Sequence, residues 1–295
     1  MSVPLNRNLA AQHASKSRGV SLARVGTHAV LIVACLSILL PVLWTFRSSL
    51  ASNDMAYRPA DFSFTPTLNN YRQIFIEQDF QHNLWNSFWI AVVSSTICLA
   101  IGSLAAYSIA RFRTGGTPFS LAILGTQMLP PVALVIPFYL IVRQTVEIAG
   151  FELKMFDRGI TLAIIYLSFN LPFVVWILMG FFESIPVDLE EAAKVDGATP
   201  FRAFRQVIMP LALPGLMAAG IFAFVLSWNE FLFALILTGR ESRTMPVALA
   251  SLMTSQGNQV GAICAATISM MAPIVVLTWF IQRHLVQGLT FGAVK

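Results

Sequence analysis

The chain has 295 residues, of which 56% are apolar and 11% charged, and its formal net charge is +5. Soluble domains carry about 25% charged residues, so the composition excludes an ordinary soluble domain and indicates a protein embedded in a membrane. The basic residues form no cluster that would suit nucleic acid, and the three cysteines lie in apolar runs without the spacing of a metal site or a disulfide framework.

The first part of the chain combines a polar tail with an apolar run. Residues 1–25 are polar and basic, and they are expected to form a cytoplasmic tail. The apolar run over residues 27–46 is too long for the core of a typical signal peptide, so it is predicted to be a retained membrane span. Residues 48–83 are polar and carry charges of both signs. The chain is therefore divided into a tail and a membrane domain over residues 26–295.

Five further apolar runs are long enough to cross a bilayer as helices. They are separated by polar segments, of which the loop at 144–159 and the C-terminal tail at 283–295 are examples. Together with the first run they predict an all-α integral membrane protein with six transmembrane helices. The five runs cover residues 83–110, 119–142, 160–182, 214–237 and 260–282.

The distribution of charge orients these spans, because cytoplasmic segments are enriched in Lys and Arg. With the N-terminus inside, the inner segments hold eleven bases and five acids, whereas the outer segments hold eight of each. Both termini and the loop at 183–215 are therefore predicted to be cytoplasmic.

The loop at 183–215 lies between two spans but is strongly charged, with five acids and three bases. Its local signals predict two short helices. Pro186 and the acids after it favour the start of the first helix, and Gly197 favours its end. Thr199 is suited to cap the second helix, which is expected to end before Pro210. The second helix has an apolar stripe at i, i+3 and i+7, formed by Phe201, Phe204 and Ile208.

Within this loop the order is Glu-Ala-Ala, two residues, Asp-Gly-Ala, eight residues and Val-Ile-Met-Pro. The pattern resembles the EAA loop of ABC importer permeases, in which it ends I-x-L-P, so Val207 and Met209 are conservative departures. In that family the loop is the coupling helix that docks on an ATPase subunit. The resemblance therefore implies an ATPase-coupling role for Glu190, Glu191, Ala192, Ala193, Asp196, Gly197, Ala198 and Pro210.

The C-terminal tail supports the same family. Its segments Gly288-Leu289-Thr290 and Gly292-Ala293-Val294-Lys295 are similar to the end of the maltose-type, carbohydrate-importing permeases. The resemblance implies the six-helix type I importer fold in the inner membrane of a bacterium. It also implies a second permease in a heterodimer, two copies of an ABC ATPase, and an external binding protein that delivers a sugar or sugar derivative.

The chain itself encodes no recognisable catalytic site. None of its four lysines follows a glycine, so the phosphate-binding GxxxxGK[ST] loop cannot be formed. We therefore expect a non-enzymatic subunit without a cofactor, and the resemblance implies that the partner ATPase binds ATP and Mg²⁺. A secondary transporter and a membrane scaffold without transport activity are the alternatives. The first would need ion-coupling groups, and the expected spans contain a single carboxylate, Glu230, and no lysine or arginine.

Five polar or aromatic residues at membrane depth are candidates for the translocation path: Gln127, Asn170, Trp228, Asn229 and Glu230. A carboxylate at the bilayer centre costs about 2.5–3.5 kcal/mol on insertion scales, so Glu230 should face the bundle interior or water. It could line the path, lie near the outer interface, or bind the partner permease. Gln127 and Asn170 fit packing or hinge roles better, since interior amides often bind a neighbouring helix.

Overall fold

The structure is a computed structural model that describes residues 22–58, 65–148, 151–253 and 259–291. Most of the predicted N-terminal tail and residues 292–295 lie outside the described residues. The described chain is helical except for its loops and one short hairpin, so the predicted helical membrane fold is confirmed. The hairpin, β1 (Thr145–Ile148) and β2 (Phe151–Lys154), is antiparallel and lies in the polar loop predicted at residues 144–159.

The helices vary from single turns to more than thirty residues. Two π-helical turns, Gln73–Glu77 and Phe204–Ile208, continue short helices of the loops. In chain order the helices are α1 (Leu22–Ser49), α2 (Asn53–Ala56), α3 (Asn69–Arg72), α4 (Phe80–Phe112), α5 (Gly116–Thr126), α6 (Pro131–Arg143), α7 (Gly159–Ser184), α8 (Val187–Val195), α9 (Pro200–Ala203), α10 (Met209–Leu211), α11 (Leu213–Trp228), α12 (Leu232–Leu237), α13 (Met245–Leu252) and α14 (Val260–Phe291).

Four of the predicted spans are confirmed as unbroken helices that are long and apolar enough to cross a membrane: α1, α4, α7 and α14. Helix α4 has 33 residues, or about 50 Å at 1.5 Å per residue, and so exceeds a hydrocarbon core of about 30 Å. Its last turns contact the EAA-like loop, and we call this side of the bundle the loop side. Helix α14 continues through the first part of the predicted C-terminal tail.

The third predicted span is wrong as a single helix over 119–142. It is divided into α5 and α6, whose axes meet at 84°. Pro131 begins α6, and Pro130 before it is extended at ψ 126°. A proline disfavours helical geometry at the residue before it and cannot donate a backbone hydrogen bond, so the pair ends one helix and starts the next.

The fifth predicted span, 214–237, is also wrong as a single helix. Helix α11 ends at Trp228, and α12 begins at Leu232 after a break at Asn229 and Glu230. On its other side, α11 is bent by 77° from the preceding segment Pro200–Leu211. We assign that segment to the loop because it carries two arginines, and we continue the span through α12 to reach the thickness of the bilayer.

Helix α4 is the centre of the bundle and packs along α7 and α11. Gly102 permits a close approach of α4 and α7, since a Cβ atom there would lie 2.8 Å from the Val174 side chain. On the loop side, buried residues of α4, α7 and the π-helical turn Phe204–Ile208 form a continuous apolar core. Helix α1 packs mainly against α14, and most of its apolar surface faces outward. The loop at 183–215 thus lies directly beneath the central helix.

Candidate functional site

The first helix of the EAA-like loop ends as its sequence predicts. Gly197 has φ +86°, its amide donates to the Lys194 carbonyl at 3.0 Å, and the Ala198 amide donates to the Ala193 carbonyl at 2.9 Å. These two bonds form a Schellman motif, which satisfies the last carbonyls of α8 and favours glycine at the left-handed position. The sharp turn at Gly197 is therefore confirmed. It fixes the direction in which the chain leaves α8.

The second helix of the loop starts as predicted and ends differently. The Thr199 side chain accepts a hydrogen bond from the Arg202 amide at 3.3 Å, which confirms the N-cap. The chain then continues through the π-helical turn and into α10, so the expectation that helical structure stops before Pro210 is wrong. Pro210 occupies the first turn of α10, where its missing N–H costs little. Of the predicted apolar stripe, Phe204 and Ile208 are buried, whereas Phe201 is 64% exposed.

Glu190 is buried inside this chain, with 2% of its surface exposed, although the resemblance placed it among the ATPase-coupling residues. The Tyr107 hydroxyl donates to its Oε1 at 2.8 Å, and Lys194 Nζ lies 2.9 Å from the same oxygen. Arg111 Nε lies 3.3 Å from Oε2 in an ion pair. Burial alone would raise the pKa of Glu190, but Lys194, Tyr107 and Arg111 outweigh it and hold the pKa below its usual range. The carboxylate is therefore charged and anchored from within.

The outer face of α8 exposes the rest of the motif. Glu191, Ala192, Asp196 and Gly197 are exposed, and Ala193 and Ala198 are half-buried. Apolar side chains lie beside them: Val195 is 87% exposed and Leu189 44% exposed. Exposed apolar side chains rimmed by charges are typical of a protein–protein contact. We call the exposed surface of α8 and α9, with Leu189, Val195 and Phe201, the loop surface.

Two predicted path residues form hydrogen bonds between helices, one of them buried and the other exposed. Asn170 is fully buried on α7, and its amide donates to the Ser227 hydroxyl of α11 at 2.7 Å. Gln127, at the break between α5 and α6, donates to the Phe169 carbonyl at 3.0 Å. This carbonyl lies three residues before Pro172, which removes one backbone donor from the hydrogen-bond ladder of α7. Both amides therefore join two helices through hydrogen bonds, as the packing interpretation expects.

The three remaining path candidates lie at the break of the fifth span. The Glu230 carboxylate accepts hydrogen bonds from the amides of Phe233 at 2.9 Å and Ala234 at 3.1 Å, and so caps the start of α12. Trp228 is 1% exposed and stacks on Phe224, with ring centroids 5.6 Å apart. The exposed Asn229 donates to the Val225 carbonyl of its own helix at 2.9 Å. The structure thus gives each of these residues a local contact, and Asn229 is the most accessible of them.

A polar site that the sequence did not reveal lies at the opposite end of the bundle. Asp157 Oδ1 accepts hydrogen bonds from the amides of Gly239 at 2.7 Å and Ser242 at 2.9 Å, and from the Ser242 hydroxyl at 2.7 Å. Its Oδ2 accepts from the Glu241 amide at 3.1 Å. Burial opposes ionisation here, but these four donors together lower the pKa of Asp157. We call this arrangement the Asp157 clamp; its partners lie more than eighty residues away in the chain, so no local pattern could reveal it.

The segment that contains Gly239, Glu241 and Ser242 also forms hydrogen bonds with α4. His82 Nε2 and Asn86 Nδ2 each lie 2.8 Å from the Glu241 carbonyl, and the Met245 amide donates to the Ser87 hydroxyl at 2.7 Å. Contacts from α4 and from the residues before α7 thus converge on the segment between α12 and α13. This segment is therefore held in place by hydrogen bonds from two different parts of the bundle.

Comparison with known proteins identifies the chain. The family model described as "binding-protein-dependent transport system inner membrane component" matches residues 98–291, which is more than half of the sequence. The chain belongs to this family. It is a multi-pass inner membrane component of a transport system that works with a binding protein, and the matched residues include the whole EAA-like loop.

Curated relatives extend the match beyond that region. The permease is 40% identical to the trehalose transport system permease protein SugB of Mycobacterium tuberculosis, over 87% of this chain and 92% of the relative. It is 33% identical to the diacetylchitobiose uptake system permease protein DasC of Streptomyces coelicolor, over 92% of this chain and 97% of the relative.

A solved structure shows the same fold. It belongs to a bacterial ABC transporter involved in the import of the acidic polysaccharide alginate, with a TM-score of 0.69 and 21% sequence identity. The match covers 96% of the permease and all of that chain, so the agreement extends over the bundle as well as the loop. The type I importer fold that the resemblance implied is confirmed.

Proposed function

We propose that this permease pairs with a second permease to form the translocation path for a sugar or sugar derivative in an ATP-driven importer. Two copies of a separate ABC ATPase bind ATP and Mg²⁺ and dock on the loop surface, and an external binding protein delivers the solute. Both termini and the EAA-like loop face the cytoplasm. The two named relatives are permeases of a trehalose transport system and a diacetylchitobiose uptake system, which supports a carbohydrate as the solute.

The observation that carries this proposal is the exposure of the loop surface on a rigid support. Phe204 and Ile208 bury the second helix of the loop in the apolar core, and Glu190 anchors the first, so the loop cannot move freely on the bundle. Val195 and Phe201 remain outside with Glu191 and Asp196. A rigidly held surface of apolar and charged groups, such as the loop surface, is suited to bind in a groove on a soluble partner.

The proposed mechanism is alternating access, driven by the ATPase through the loop surface. Closure of the ATPase dimer displaces the loop, and the helices that leave it, α7 and α11, move with it. The Asn170–Ser227 hydrogen bond joins these two helices at membrane depth, which supports their movement as a pair. Small residues on α8, Ala192 and Ala193, allow the partner's backbone to approach closely, and Glu191 and Asp196 supply charge at the contact.

The five candidate path residues have different roles in the proposed mechanism. Asn229 is exposed at the break between α11 and α12, so it is the strongest candidate to contact a passing sugar hydroxyl. Glu230 keeps the break open by capping α12, and Trp228 supports it from the core. Gln127 and Asn170 hold the helices around the path.

The proposal is tested by purifying the tagged permease from detergent-solubilised membranes and assaying the co-purified proteins. We expect a second permease and an ATPase, with ATP hydrolysis and solute uptake into proteoliposomes both stimulated by the binding protein encoded nearby. Recovery of the permease alone, with uptake dependent on an ion gradient, would contradict the proposal and favour a secondary transporter.

The docking step is tested with Gly197→Asp, which adds a side chain and a charge to the loop surface. Gly116 offers a matched control, because it also has positive φ (65°) but is the first residue of α5, outside the EAA-like loop. We expect Gly197→Asp to lose ATP-driven uptake while the protein remains in the membrane, and Gly116→Asp to retain most of it. Equal uptake by both variants would refute docking at α8.

A further inference from the structure

Glu190 connects the EAA-like loop to α4, a helix that does not adjoin the loop in sequence. The loop is covalently continuous with α7 and α11, whereas α4 reaches it through side chains of its last turns. Helix α8 packs mainly on α9 and on the π-helical turn. Tyr107 and Arg111, one turn apart on α4, both reach the buried Glu190 carboxylate. This geometry gives the loop a third attachment.

The attachment has two anchor points, Glu190 on α8 and Ile185 just before α8. Besides its ion pair with Glu190, Arg111 donates from Nη2 to the Ile185 carbonyl at 2.7 Å, just where α7 passes into α8. The side chains of Arg111 and Glu190 are 7% and 3% exposed. Charges so well shielded from water interact strongly, and Arg111 would be left without a counter-charge if Glu190 moved away. The start of α8 therefore cannot shift relative to the end of α4 without breaking the ion pair and both hydrogen bonds.

Aromatic packing prevents these groups from adjusting independently. The Tyr107 ring lies 4.6 Å from the Phe204 ring and 5.9 Å from the Phe182 ring, measured between centroids. Phe182 belongs to α7 and Phe204 to the loop, so the tyrosine is fixed between the elements that it joins. Its hydroxyl position is thereby set for Glu190.

We propose that Glu190, Tyr107 and Arg111 form a brace that transmits displacement of the EAA-like loop to α4. Glu190 is then a positioning residue rather than a contact for the ATPase. The inference rests on the proposed function and adds the central helix to the parts that move with the loop. Because α4 packs along both α7 and α11, a loop attached to all three would move the bundle core as one body.

The brace is tested with Glu190→Gln, which keeps the shape of the side chain and removes its charge. A second variant, Tyr107→Phe, removes a single hydroxyl. Glu183→Gln is the matched control, because Glu183 is an exposed acid at the end of α7. The readout is the number of solute molecules imported per ATP hydrolysed by the reconstituted complex. We expect at least a fivefold fall for Glu190→Gln, a smaller fall for Tyr107→Phe and no change for the control, with basal ATP hydrolysis retained.

A distance measurement separates transmission from a merely structural role. Spin labels at Asp188 on α8 and Phe112 at the end of α4, both exposed, report whether the two elements move together. The native cysteines Cys35, Cys98 and Cys264 are first replaced by serine or alanine. We expect the wild-type distance to be the same in the nucleotide-free and ATP-trapped complexes, and to differ between them in Glu190→Gln.

Each outcome decides a different claim. A wild-type complex without ATP-driven uptake would refute the proposed function and the brace with it. A working wild type whose Glu190→Gln variant keeps the normal solute-to-ATP ratio and an unchanged label distance would refute the brace alone. If Glu190→Gln fails to assemble, Tyr107→Phe decides, since a normal ratio and distance in that variant would overturn the proposal.

Discussion

Replacing Asp157 by alanine should release the loop between α12 and α13, and the structure sets the size of the effect. The substitution removes the acceptor of three backbone amides and one hydroxyl. Hydrogen bonds to a charged group contribute about 1.5–3 kcal/mol each when buried, but this site is half-exposed and water replaces part of the loss. We take about 1 kcal/mol for each amide, or about 3 kcal/mol in total, which corresponds to roughly a hundredfold change in an opening equilibrium.

Hydrogen–deuterium exchange of the purified complex measures that opening directly. The amides of Gly239, Glu241 and Ser242 should exchange about a hundredfold faster in Asp157→Ala, following the loss worked out above. Ser242→Ala is the matched control, because it removes the hydroxyl and leaves the three amide bonds, so its effect should stay below tenfold. Exchange in Asp157→Ala within twofold of the wild type would show that the clamp contributes nothing to the order of this loop.

Further predictions concern pH and single substitutions. Because its donors lower the Asp157 pKa, the clamp stabilises the fold above the ordinary carboxyl pKa and is lost as the pH falls through the lowered value. The difference in melting temperature between wild type and Asp157→Asn should therefore shrink in acid; a constant difference would contradict this. Gly197→Ala should cost about 1 kcal/mol through backbone strain alone, since no atom lies within 4 Å of the added Cβ. The melting temperature should fall with uptake largely retained; an unchanged melting temperature would refute the strain. Glu230→Ala should destabilise the permease by about 1–3 kcal/mol in denaturant unfolding, and Glu230→Gln by less, because the amide keeps one acceptor for the α12 amides. Equal losses would argue against the cap.

Local sequence signals predicted the parts of the molecule that depend on local physics. The Schellman turn at Gly197 and the Thr199 cap follow from residues a few positions apart, and both are confirmed. Four spans follow from uninterrupted apolar runs. The two broken spans are partly visible in the same way, since Pro130 and Pro131 mark one break and Glu230 lies at the other, but hydrophobicity averaged over a run concealed them.

The contacts that were missed join residues far apart in the chain. Glu190 and Glu191 are adjacent acids in one helix, and only the approach of Tyr107, 83 residues earlier, decides which of them is buried. Asp157 and Ser242 are 85 residues apart. Neither position has a distinctive neighbourhood in sequence. Their roles arise from the tertiary packing of α4, α7 and the loops at either end.

The cap at Glu230 also bears on how the chain enters the membrane during synthesis. Its partners, Phe233 and Ala234, follow within four residues, so both hydrogen bonds can be made as soon as the first turn of α12 forms. Asn170 depends instead on Ser227, 57 residues later, which emerges only with a subsequent span. The carboxylate of the fifth span therefore finds two hydrogen-bond donors within its own segment, whereas the amide of the fourth span depends on a residue of a later one. These two hydrogen bonds are thereby independent of the order in which the helices assemble.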